Sequence, residues 1–91
     1  MKENERYKYG APIIFVDSVG EKHDALVTTW HGVDHYRQHL PTMEPGVNLV
    51  IVSQDESKTD SYGRHVERST SVCHRGVQPA HGMYWLWPEE A

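Results

Sequence analysis

The sequence predicts an all-β fold: a small five-stranded barrel with one short helical turn near residues 34–40. Three observations predict it. Short runs rich in Val, Ile and Thr recur along the chain, the composition of half-buried strands. Glycine, proline and Asp-Ser stretches punctuate them with turn chemistry. At 91 residues the chain supports one domain with a modest core.

The elements follow in order. MKENERYKYG (1–10) reads as a flexible, charged lead-in, and 11–91 as one small β-barrel domain. PIIFVD (12–17) is a β-branched strand, followed by a turn at Gly20. DALVTTW (24–30) is the second strand and pairs with the first as an antiparallel hairpin. DHYRQHL (34–40) has room for about two helical turns, with Asp34 as N-cap and Pro41 as the stop. LPTMEPG (40–46) carries two prolines and is excluded from a helix interior. VNLVIVS (47–53) is the most apolar strand and is expected at the centre of the sheet. DSYG (60–63) has the Asp-first, Gly-last signature of a type I turn. HVERSTSVC (65–73) is the fourth strand. GVQPAHG (76–82) is a loop, and MYWLW (83–87) is the last strand, stopped by Pro88.

The opening hairpin, IIFVDSVGEKHDALVTTW, resembles that of SH3-like and KOW-type barrels. The expected architecture is therefore SH3-like, with an OB-like barrel as the alternative. A likeness at this level carries no function.

Composition narrows the function classes. No apolar run reaches the roughly 18 residues of a membrane span, and the N-terminus lacks an apolar signal segment. The single cysteine, Cys73, allows no disulfide within the chain, which fits a reducing cytoplasm. The net charge of −4 argues against a protein that coats nucleic acid, because that affinity comes from neutralising phosphates.

The polar stretch SQDESKTDSYGRHVERSTSVCHR (53–75) raises the functional question. It holds Arg64, Arg68 and Arg75 beside His65, His74 and the hydroxyls of Ser69 and Ser71. Guanidinium forks and hydroxyls together suit a phosphate or carboxylate. Strand alternation puts Val66, Arg68, Thr70 and Val72 on one face. If Val66 and Val72 point to the core, Arg68 is drawn partly inward between them and must then meet Glu67, Asp60 or Asp55, or a ligand anion, unless a bulge re-aims it outward. Tyr62 and Trp85 supply flat rings, for base stacking or, for Trp85, for a core. Both faces of MYWLW are hydrophobic, which a second subunit would cover; a homo-oligomer is expected.

Catalytic and metal motifs are sparse. The sequence has no glycine-flanked nucleophile elbow, Walker A loop or dinucleotide fingerprint. Cys73 and His74 are adjacent, so on a strand they diverge. His35 and His39 stand at i, i+4 and share a helical face, but a structural zinc site takes four ligands. No catalytic residue, cofactor or metal is assigned, and a metal-dependent nucleotide hydrolase using His35 and His39 is the enzymatic alternative.

The stretch NLVIVSQDESKTDSYGRHVERSTSVCHR, with HGMYW after it, resembles a group of small proteins encoded by tailed bacteriophages. The likeness spans 12–87 and is most specific in DESKTDSYGR and HGMYW. It implies a setting, the cytoplasm of an infected bacterial host, and no mechanism. In that setting the residues point to a non-enzymatic protein that binds and sequesters a nucleotide-derived small molecule, such as a host immune signal. Arg64, Arg68 and Arg75 would neutralise the anion, His65, Ser69 and Ser71 would line the site, and Tyr62 or Trp85 would stack on a base. The alternatives are a phage structural or protein-interaction module and a KOW-type nucleic-acid binder.

Overall fold

The computed structural model describes residues 6–40, 42–76 and 82–91. The strands are β1 (Pro12–Val16), β2 (Lys22–His31), β3 (Gly46–Val52), β4 (Thr59–Asp60), β5 (Gly63–Arg64), β6 (Val66–Val72) and β7 (Tyr84–Leu86). One helix, α1 (Val33–His39), follows β2, and a 3-10 turn (Pro88–Glu90) follows β7. Five strands form one antiparallel sheet in the order β6-β3-β2-β1-β7, and β4 and β5 make a separate small hairpin. The last strand thus lies beside the first, as in an SH3-like meander.

The sheet curls toward closure. The Trp85 N–H donates to the Cys73 carbonyl at 3.0 Å, and the Arg75 N–H to the Trp85 carbonyl at 3.2 Å. These bonds join the chain beyond β6 to β7, so the two ends of the sheet meet at His74 and Trp85. The result is a half-barrel whose concave side holds the core.

That core follows period-two alternation. Ile13, Phe15, Ala25, Val27, Val47 and Leu49 turn inward and are buried with Trp85, Trp87, Val72 and Ala11. Removing side chains of this size from water contributes about 1.5–3 kcal/mol each.

Five expectations change. The centre of the sheet is β2, flanked by β1 and β3, because the last strand adds next to β1. The helix cap falls two residues earlier: it is Gly32, at φ 69°, and Asp34 sits inside the first turn. Only glycine enters that left-handed position without a Cβ penalty. The segment from Arg6 to Gly10 is docked, not a loose lead-in. The Gly10 N–H donates to the Val27 carbonyl at 2.6 Å, the Trp30 indole N–H donates to the Lys8 carbonyl at 3.0 Å, and Tyr7 packs against the core.

The fourth correction concerns β6. Its alternation is broken between the pairs Val47–Val72 and Leu49–Ser69, where the register shifts. Ser71 adopts φ 54° there, and its N–H donates to Asn48 Oδ1 at 2.9 Å. The same oxygen lies 2.7 Å from His31 Nε2, next to the irregularity between β2 and β3. Asn48 therefore clamps both bulges. The extra residue turns Val72 inward while Val66 and Arg68 stay outward and exposed. Arg68 is not drawn into the core.

The fifth concerns β7. Trp85, Leu86 and Trp87 are all buried within one chain, so this strand does not hold an apolar face open for a second subunit. Most of the 76–82 loop lies outside the described residues. Among the described residues no helix is long and apolar enough to cross a membrane.

Candidate functional site

Between β3 and β6 the polar stretch folds back on itself. Ser53 is buried; its N–H donates to the His65 carbonyl at 2.8 Å, and its hydroxyl accepts the Asp55 N–H at 3.2 Å. Asp55 Oδ1 accepts both the N–H and the hydroxyl of Ser57, at 2.9 and 2.7 Å. Those two bonds, the hydroxyl first, hold the Asp55 carboxyl below its usual range. The Thr59 hydroxyl donates to the Gly63 carbonyl at 2.9 Å, closing the β4–β5 turn, where Gly63 takes φ 121°. Arg64 reaches back to the Ser53 carbonyl at 3.4 Å, and Lys58 pairs with Glu67 at 3.8 Å. Much of this polarity builds the hairpin itself.

The residues read as a ligand site do not converge. Trp85 is fully buried, its indole N–H given to the Pro45 carbonyl at 3.0 Å, so it offers no face to a base. Ser69 turns to the inner side opposite Leu49, Ser71 lies in the bulge, and Arg68 stands on the outer face opposite Val50. Arg75 follows the far end of β6, beside Trp85. Tyr62, 98% exposed, sits at the hairpin tip with Arg64 and His65 also exposed nearby in the chain.

Two clusters have metal-ligand chemistry. His35 and His39 do lie side by side on α1, ring centroids 5.0 Å apart, but among the described residues no third His, Cys, Asp or Glu joins them. Asp17, Glu21 and His23 gather at the β1–β2 turn. The turn itself accounts for Asp17 and His23: Asp17 Oδ1 accepts the N–H groups of Val19 and Glu21 at 3.0 and 2.9 Å, and Oδ2 meets His23 at 2.8 Å. The His23 contact comes first among the causes that hold the Asp17 carboxyl low.

At the other end of the barrel stands an aromatic cluster that the sequence did not foretell. Trp30 and Trp87 stack at 5.5 Å, with Trp85 and Tyr7 edge-on to Trp30. The Glu44 carboxylate accepts the Tyr7 hydroxyl at 2.8 Å and the Trp87 indole N–H at 2.7 Å. Burial, then the bond to Glu44, push the Tyr7 phenol up to about 12. Arg6 lies over the Trp87 ring at 3.9 Å and pairs with Glu89 at 3.3 Å. Behind Trp85, the buried His74 accepts the Gly76 N–H on Nδ1, so Nε2 carries the proton and donates to Glu90 at 2.8 Å. Burial acts to raise the Glu90 carboxyl, but the bonds from His74 and the Trp87 N–H outweigh it and hold it low. This end is a finished structural joint.

The surface left without an internal explanation is the convex side of the sheet. Leu26, Val52 and Val66 are 49%, 53% and 62% exposed, and with Pro12, Ile14 and Val50 they line a groove of about 510 Å³. Strand alternation puts Arg68 and Thr70 on the outward side of β6 and Lys22 and Asp24 beside Leu26 on that of β2; on β1 and β3 it places Pro12, Ile14, Val50 and Val52 there, so the groove is apolar except at Asp24. The signal was in the sequence: IIFV and NLVIV are apolar on both faces, as strands covered on both sides are.

Comparison with known protein families, curated proteins and solved structures gives no match for this chain.

Proposed function

We propose that this protein is a non-enzymatic protein-interaction module whose working surface is the convex face of the sheet. The observation that carries this reading is the contiguous apolar groove over β1, β2, β3 and β6, in which Leu26, Val52 and Val66 are each about half exposed or more. Apolar surface grouped in this way, flanked by charges, marks a contact site. A phage setting makes a virion component or a host protein the natural class of partner, in the cytoplasm of the infected cell.

Capture of a nucleotide-derived anion is the second reading. It is favoured by the exposed Tyr62 ring beside Arg64 at the hairpin tip, with Arg68 exposed on the following strand. Native mass spectrometry of protein purified from a bacterial host separates the two. The interaction reading expects a retained polypeptide that is released from the double variant Leu26→Lys/Val52→Lys while the fold persists. A small molecule with nucleotide absorbance, lost from Arg64→Ala/Arg68→Ala and indifferent to the groove variant, overturns it in favour of capture.

A further inference from the structure

We propose that the occupant of the convex face is a second copy of this chain, packed sheet on sheet as a two-fold pair. The proposal rests on reading that face as a contact surface and adds what covers it.

The argument comes from where the charges sit. Register places Pro12, Leu26, Val50 and Arg68 in one row across the sheet. In the adjacent row Ile14 pairs with Asp24 on β1 and β2, and Val52 pairs with Val66 on β3 and β6. The face is thus an apolar strip with one acid, Asp24, lying within it on β2 between Ile14 and the Val52–Val66 pair, and one base, Arg68, at its β6 edge. Both are exposed. Neither takes part in an ion pair among the described residues.

Such a surface complements itself. In an isologous contact each patch meets its own copy, so where one residue meets another, the second meets the first in return. A two-fold axis crossing β3 between Val50 and Val52 lays Asp24 of one copy over Arg68 of the other, twice. The strands of the two sheets then cross steeply, one of the two common modes of sheet stacking. The apolar side chains between them are closed off from water. A partner carrying one sign of charge would leave either Asp24 or Arg68 facing its like, at a cost. Pairing also gives a short chain the second layer its own length does not provide.

The strip is smaller than a standard interface, so the pair is expected to form with concentration. Sedimentation velocity from about 1 to about 200 µM should show monomer passing to dimer, since small contacts sit at the weak end of the range. Charge exchange then tests the pairing. Asp24→Arg alone and Arg68→Asp alone should each abolish the dimer. An equimolar mixture of the two variants should restore it, because each acid again meets a base. A wild-type monomer at every concentration overturns the second-copy proposal. In that case a different polypeptide held by the same face, and released by Leu26→Lys/Val52→Lys, leaves the interaction reading standing; its absence removes both. A dimer unmoved by either charge reversal also overturns the pairing proposed here.

Discussion

The two ends of this half-barrel spend their hydrogen bonds differently. At the tryptophan end, polar groups exist to let large rings be buried: Trp85 gives its N–H to Pro45, Trp87 to Glu44 and Trp30 to Lys8. At the 53–65 hairpin, polar groups bond mainly to one another and to nearby backbone, around side chains that are mostly exposed. The same kind of bond is a condition of the core in one place and a local brace in the other. A desolvated donor left unpaired costs far more than an exposed one, so the two ends should respond very unequally to substitution.

The largest effect is expected at Trp85. It is fully buried, touches Trp30, Trp87 and His74 by ring contacts, and carries the backbone bonds that bring the sheet ends together. Trp85→Ala should cost about 3–5 kcal/mol, the range for removing a buried aromatic. A urea titration measures it. A loss below about 1 kcal/mol would mean the closure is not part of the cooperative core.

Next comes Glu44. Its carboxylate satisfies two donors, the Tyr7 hydroxyl and the Trp87 indole. Glu44→Ala leaves both without an acceptor, at about 1–3 kcal/mol in all when some water enters. For a domain of this size that lowers the thermal midpoint by roughly 4–24 °C. It should also bring the Tyr7 phenol back down from about 12, visible as tyrosinate absorbance at lower pH. An unmoved tyrosine titration would mean Glu44 does not hold this contact in solution.

This unequal pair of regions also explains what could be read from the sequence. The strands were legible because PIIFV, ALVTTW and NLVIV combine β-branched residues with recognisable turns. The docking of Arg6 to Gly10 was not, since ERYKYG looks solvated until Trp30, Trp87 and Glu44 arrive from distant positions to receive it. The placement of Arg68 turned on one inserted residue at Ser71, stabilised by Asn48 from the neighbouring strand, and no local pattern records a partner twenty-three positions away. Trp85 was readable as core, which it is, or as a stacking ring; the sequence left both open because its acceptor, the Pro45 carbonyl, is forty residues distant. Features set by neighbours in sequence were readable, and those set by neighbours in space were not.

The smallest effect is expected at Asp55, and its pH dependence sharpens the contrast. Its folded carboxyl is held below the ordinary value by the Ser57 hydroxyl and N–H. A depressed carboxyl stabilises the folded form fully above its unfolded pKa, about 3.9, and the contribution is lost as pH falls through the folded value. Hydrogen exchange should therefore show the Ser57 amide, bonded to the Asp55 carboxylate, and the Lys58 amide, bonded to the Asp55 carbonyl, protected alike from neutral pH down to about 4. Below that, protection should fade while tryptophan emission holds. Asp55→Asn should produce the same local loss at neutral pH with little change in the midpoint of global unfolding, because the brace it removes is exposed. If that variant instead shifts tryptophan emission and the global midpoint together, the hairpin unfolds with the core, and the division drawn between the two ends of the molecule is wrong.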